Sequence, residues 1–290
     1  MKDAPVRHAL EQAAFLPFHA LLRALPHGAS RAFGASLGAL AGTVDRRRRQ
    51  ISFDNLALAL PELGPSARQR IVGDCFRHFG ASFCDAISSL RFSPEELSAR
   101  IERRGFDNFA AAAAAGKGTI VLGSHFGNWE IVSPTIAIDV GPMSIVGRRA
   151  DNPHFERLVH RLRSRCGNRS LDKRGSVREM FRVLEANGRL ALLIDQRVAV
   201  KEGIEVPFFA HPALTSPIVA RLSQRTGAPV IPVFGEELAG GRYRVEALPP
   251  IAPRTGEDDV TLTRRYLEIL EARVRERPHL WLWLHRRWKR

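Results

Sequence analysis

Residues 118–130, Gly-Thr-Ile-Val-Leu-Gly-Ser-His-Phe-Gly-Asn-Trp-Glu, constrain the fold more than any other stretch of the chain. The apolar, partly β-branched run Thr119 to Leu122, bounded by glycines, reads as a buried strand. A histidine, a glycine, an amide, an indole and a carboxylate follow at the carboxyl end of that strand. In open α/β sheets that edge is where ligands bind.

His125 and Glu130 are five positions apart. On one continuous helix that places them about 140° apart around the axis, so they share no face. If His125 lies on the strand-to-helix turn and Glu130 in the first helical turn, the carboxylate folds back onto the ring. Gly127 supplies the backbone freedom for such a turn. A carboxylate on one imidazole nitrogen fixes the tautomer and leaves the other nitrogen as a general base. The alternative is a histidine that only caps the helix.

The order of elements predicts the fold class. Strands are expected at 143–147, 168–171, 189–195, 229–235 and 242–248. Helices are expected over 66–90, 108–115, 153–166, 176–187, 216–226 and 261–276. Ser93-Pro94-Glu95-Glu96 reads as a helix start. This alternation implies a mostly parallel central sheet with helices on both faces. Gly116-Lys117-Gly118 superficially suggests a phosphate loop, but the upstream glycine and the following Ser/Thr are missing.

The amino end differs in character. Residues 7–44 are apolar but interrupted by Arg23 and Arg31, short of the uninterrupted run of about 18 that a spanning helix needs. Pro26-His27-Gly28 divides them into two helices, the second with a small-residue ridge at Gly34, Gly38 and Gly42 for close approach to another helix. Arg46 to Arg49 follow. Such a pair suggests a monotopic anchor on an anionic membrane surface, the alternative being a helix pair packed on the core. The expected division is a membrane-anchoring segment over 1–50 and an α/β domain over 51–290. No cleavable signal peptide is evident.

The charge balance, 44 Lys+Arg against 30 Asp+Glu for a net +14, favours anionic partners. No helix-turn-helix, RNP or zinc-finger pattern supports nucleic acid. Cys75, Cys84 and Cys166 lack metal or redox spacing, which fits reduced thiols, with the first two as buried packing. Neither a zinc motif nor a serine-hydrolase elbow is present. Arg148 ends one strand beside a helix start capped by Asp151 or Asn152, well placed to grip a phosphate. Asp195 ends another strand at the same edge, poised to orient Arg148 or a substrate sugar, or to pair with Arg174.

His125-Phe126-Gly127-Asn128-Trp129-Glu130 resembles the H-x4-D/E motif of glycerolipid acyltransferases, in the form found in the bacterial lipid A late acyltransferase family. The resemblance extends to Arg46–Glu62, to Arg148 before x-x-x-Asn-Pro, to Asp195-Gln196, to Val206-Pro207-Phe208-Phe209, and to Trp281-Leu282-Trp283-Leu284-His285-Arg286-Arg287-Trp288-Lys289. Ala210 stands where that family generally has glycine. The resemblance implies a catalytic pair of His125 and Glu130 and an acceptor phosphate on Arg148. Asp195, Asn128, Gly127 and Arg174 are further expected substrate contacts, with Gly127 and Asn128 N–H groups as oxyanion donors. It implies no metal and no cofactor. The implied donor is acyl carrier protein or acyl-coenzyme A, and the acceptor a phosphorylated glycolipid at the cytoplasmic face of the inner membrane. The terminal tryptophans then sit at headgroup level, or else pack beneath the sheet. Two alternatives stand beside this reading: another glycolipid such as a phosphatidylinositol mannoside as acceptor, and a non-enzymatic basic protein on membrane or nucleic acid.

Overall fold

The computed structural model of the chain describes residues 15–288. Seven strands form one sheet in the order β1-β9-β8-β2-β5-β3-β4. They are β1 (Ile101–Arg104), β2 (Thr119–Gly123), β3 (Ser144–Gly147), β4 (Arg169–Asp172), β5 (Arg189–Leu193), β8 (Val230–Leu238) and β9 (Arg242–Ala247). Every neighbouring pair is parallel except β8 with β9. The mostly parallel sheet expected from the element order is therefore present, with β2 near its middle.

Because side chains alternate along a strand, β2 feeds two cores. Val121 packs with Ile136, Met143 and Ile145 on one face. Ile120 and Leu122 pack with Leu184, Leu222 and Tyr266 on the other. The first face is covered by α5 (Pro94–Ser98), α6 (Asp107–Ala114) and α7 (Val132–Asp139). The second carries α9 (Val177–Glu185), α10 (Ile218–Thr226) and α11 (Asp259–Glu276). The Ser93 hydroxyl and the Glu96 carboxylate form the reciprocal box that starts α5.

Before the sheet come a helical stretch over 15–24 (α1), α2 (His27–Val44), α3 (Arg46–Ala59) and α4 (Pro65–Ser89). The small-residue ridge of α2 meets α4: a Cβ on Gly38 would lie 2.1 Å from the Phe76 carbonyl oxygen, and one on Gly34 2.4 Å from that of Gly80. Only glycine allows backbones that close. Among the described residues no helix is long and apolar enough to cross a membrane.

Three strands escape sequence-level detection. β1 carries Glu102, Arg103 and Arg104, and its polar character fits an edge position. β6 (Ile204–Phe208) and β7 (His211–Thr215) form a separate hairpin in which Pro207 and Pro212 face each other, so proline masks the strand signal. The hairpin loop is Phe209-Ala210, both with left-handed φ of 51° and 61°.

Candidate active site

The register of β2 on β5 pairs Gly123 with Leu193. The residues two places beyond each strand end therefore arrive side by side, and these are His125 and Asp195. One Asp195 oxygen accepts from His125 Nδ1 at 2.8 Å; the other accepts the His125 backbone N–H at 2.8 Å and Trp281 Nε1 at 2.9 Å. Asp195 is only 2 % exposed. Burial alone would raise its carboxyl, but the adjacent imidazole and these three hydrogen bonds prevail and hold it at about 2. An ionised carboxylate only accepts, so Nδ1 carries a proton and, in the neutral ring, Nε2 is the nitrogen with the lone pair. No described residue hydrogen-bonds Nε2.

The acid that orients the ring is thus Asp195, which corrects the expected pairing of His125 with Glu130. Glu130 lies in the single turn Trp129–Ile131 that precedes α7. It accepts from Trp129 Nε1 at 3.0 Å and faces Arg163 Nη2 at 3.6 Å. The Trp129 ring stands edge-on to His125 with centroids 5.2 Å apart, so the indole touches both base and acid. The alternative pairings of Asp195 are not present either: Arg148 bonds Asp151 instead, and among the described residues neither Arg148 nor Arg174 bonds Asp195.

A cavity of about 70 Å³ opens beside the ring, lined by Ser124, His125, Trp129, Glu130 and Arg163 and continuing between apolar residues such as Met143 and Val233. Arg163 ends α8 (Pro153–Arg163), and its Nη1 lies where a Cβ on Gly147 would come within 2.5 Å. Ser124 Oγ is buried without a hydrogen-bond partner among the described residues. Arg163, which sequence reasoning did not single out, has donors to offer a ligand at the base. Only the fold brings Arg163 there, from 33 positions beyond Glu130.

Gly127 and Asn128 do not serve as expected. The Gly127 N–H donates to the Leu280 carbonyl and the Asn128 N–H to that of Gly235, each at 2.8 Å, so neither awaits an oxyanion. Gly127 has φ +60° and touches the Gly235 carbonyl so closely that any Cβ would collide. The Asn128 carboxamide is buried against Asp85 and Glu237, away from the cavity. The carboxyl-terminal tryptophans are likewise internal: Trp281 and Trp283 are at most 2 % exposed and join the aromatic core with Phe208 and Phe209, which removes them from any membrane surface.

Arg148 is exposed after β3, bonded to both oxygens of Asp151 at 2.7 and 2.9 Å. Asn152 caps α8 through its side-chain oxygen. β3 pairs with β4 so that Gly147 faces Asp172, which sets Lys173 and Arg174 beside Arg148 and Arg149. This cationic rim shares the sheet edge with His125 but lies two and three strands away, about 10 and 14 Å at ordinary strand spacing.

The bacterial lipid A biosynthesis acyltransferase family matches residues 4–290 of the chain. The chain is 25% identical over 269 residues to the lipid A biosynthesis lauroyltransferase of Escherichia coli K12, covering 91% of this chain and 87% of that relative. It is also 25% identical over 276 residues to a phosphatidylinositol mannoside acyltransferase of Mycobacterium tuberculosis, with 92% and 85% covered. Among solved structures, the 1-acyl-sn-glycerophosphate acyltransferase of Thermotoga maritima is similar at a TM-score of 0.40 and 14% identity, over 85% of this chain and 97% of that one. An imidazole base on an acid at the mouth of a parallel sheet, in a chain matched almost end to end, has one reading: the chain belongs to the bacterial lipid A biosynthesis acyltransferase family and is an acyltransferase.

Proposed function

We propose that the chain moves a fatty acyl group from the thioester of an acyl carrier protein to a hydroxyl of a lipid A precursor, at a membrane surface. The observation that carries this reading is the His125 ring, with Nδ1 tied to Asp195 and Nε2 open beside the cavity. The acceptor hydroxyl gives its proton to Nε2 as its oxygen bonds the thioester carbonyl carbon. The carbonyl oxygen takes the electron pair and is met by Arg163. Collapse expels the thiolate, which takes the proton from the imidazolium, leaving ester and free thiol. Asp195 stabilises that imidazolium without itself taking the proton.

The rim of Arg148, Arg149, Lys173 and Arg174 lies at a distance that suits a phosphate on the same glycolipid whose hydroxyl reaches His125. The net charge of +14 suits an acidic carrier protein. Membrane association is supported by exposed Leu37, Leu40 and Val44, which share one face of α2, by exposed Leu16 and Leu21 on α1, and by Arg46 to Arg49 at the start of α3. Exposed Phe83 and Phe155 continue that apolar surface toward the loop that carries Arg148. The three cysteines are free, in keeping with a reducing compartment and a cytoplasmic membrane face.

The mannoside acyltransferase relative gives a second reading, in which the acceptor is a phosphatidylinositol mannoside. Acyl-carrier-protein thioesters of graded chain length, and acyl-coenzyme A in parallel, incubated with either acceptor and read by product mass, decide donor, acceptor and chain length together. Acylated lipid A precursor from the carrier thioester supports the first reading. Acylated mannoside alone, or turnover only from acyl-coenzyme A, overturns it.

A further inference from the structure

Behind the catalytic turn lies a buried polar cluster that the reaction as described does not use. The Asn128 carboxamide nitrogen donates to Asp85 Oδ2 at 2.8 Å and to Glu237 Oε1 at 3.2 Å. Asp85, on α4, is fully buried, and it also accepts from the Tyr243 hydroxyl at 2.8 Å. Glu237, on β8, accepts from Ser82 at 3.1 Å. Two carboxylates this close repel each other in a poorly solvated place. Burial first, and then the charge of Asp85, raises the Glu237 carboxyl despite Arg31.

The compensating groups come from one face of α2. His27 Nε2 lies 2.9 Å from Asp85 Oδ1, and Arg31, one turn on, approaches Asp85 at 3.6 Å and donates to Glu237. The Tyr243 hydroxyl is 3.0 Å from the same His27 nitrogen. His78, which contacts Ser82, completes the set of titratable groups around the cluster. Asp85 Oδ1 and Arg31 Nη1 are buried with no hydrogen-bond partner among the described residues, so ion pairing alone offsets that oxygen, and the two Asn128 amide protons are the cluster's link to the catalytic turn.

We propose that Asp85 is a positioning residue for the catalytic base, holding the Gly127–Asn128 turn through the Asn128 carboxamide, with Arg31 of α2 supplying the charge, and His27 a close polar contact, that let it do so. The proposal rests on the acyl-transfer reading of His125. The backbone of this turn is pinned at Gly127 to Leu280 and at Asn128 to Gly235, both in the backbone direction. The side-chain bonds to Asp85 and Glu237 fix it in a third direction. His125 is three residues upstream of Asn128, and a shift of about 1 Å at a base costs up to about 100-fold in rate. Helix α2 is on this view a working part of the catalytic centre, in addition to any contact it makes with lipid.

The test compares Asp85→Asn, Asn128→Asp and the double exchange Asp85→Asn/Asn128→Asp, with Tyr243→Phe as the mildest variant. In Asp85→Asn two amides meet, and kcat is expected to fall about 10- to 100-fold with KM nearly unchanged. The double exchange again sets an amide against a carboxylate but leaves the new carboxylate opposite Glu237, so it is made together with Glu237→Gln, and the combination is expected to recover much of that loss. Tyr243→Phe removes one hydrogen bond to Asp85 and is expected to lower kcat about 3- to 10-fold in a protein that still folds. A residue that only stabilised the fold would lower the unfolding temperature, leave kcat per folded molecule unchanged and show no rescue by exchange. That pattern, or full kcat in Tyr243→Phe, overturns the proposal.

The proton on His125 Nδ1, read by NMR on the same samples without substrate, separates the two levels of inference. A shift of that signal in Asp85→Asn supports the positioning role even if no acyl transfer is found. An unmoved signal overturns it even in an active enzyme.

Discussion

At the residue scale the central result is the exchange of partners around His125. The sequence places His125, Glu130 and Asp195 at one sheet edge, and all three are there. What it does not reveal is which acid holds the ring, because that depends on the register of β2 on β5, two strands separated by about 65 residues of chain. Proximity in sequence favours Glu130; proximity across the ladder favours Asp195. Asp195→Asn is expected to lower kcat about 100- to 10,000-fold, since it loosens the tautomer and the imidazolium together. Glu130→Gln still accepts from Trp129 and changes only the charge opposite Arg163, so a smaller loss is expected in the same product-mass assay; the reverse order would make Glu130 the working partner. A second residue sets a pH limit on stability. Burial holds His78 at about 4, so it is neutral in the fold while the unfolded chain takes up a proton near the ordinary histidine value. Its contribution is complete above about pH 6.5 and is lost as pH falls from there toward 4, an effect of about 2–3 kcal/mol. Urea unfolding at the two pH values is expected to show that drop in the native chain and a smaller one in His78→Gln.

At the element scale, long periodic helices and apolar strands are legible and the β6–β7 hairpin is not. Hydrophobic period and capping residues announce α4, α5 and α8, whereas prolines at paired positions disguise the hairpin. The family resemblance marks Ala210 as out of pattern, and the structure gives the cause. Phe209 and Ala210 both turn with left-handed φ, the geometry a two-residue hairpin loop demands and glycine tolerates best. Ala210→Gly is therefore expected to stabilise the protein by about 1 kcal/mol, seen as a higher unfolding temperature with activity unchanged. The carboxyl-terminal tryptophans teach the complementary lesson. An indole beside arginines suits a headgroup layer and a buried clamp equally well by composition, and only the bonds from Trp281 to Asp195 and from Trp283 to Pro278 choose between them.

For the whole molecule, the net charge narrows the partners to anions but names none; family membership removes the non-enzymatic alternative. The proposed lipid face is open to direct test. Replacing Leu37, Leu40 and Val44 together by serine is expected to reduce co-sedimentation with anionic vesicles about 10-fold or more, since each exposed side chain forfeits on the order of 1–2 kcal/mol of burial. Changing Arg46 to Arg49 to glutamine is expected to weaken binding chiefly at low salt. Unaltered sedimentation in both would remove this face from consideration. A further consequence comes from the segment at residues 280–283. Leu280 accepts from Gly127, Leu282 donates to the His125 carbonyl, and Trp281 grips Asp195. A copy still being synthesised therefore has its histidine early and the clasp that steadies it only some 150 residues later. Competence therefore waits on residues 280–283, so a copy broken or stalled before them is expected to be inert instead of carelessly reactive toward the thioesters around it.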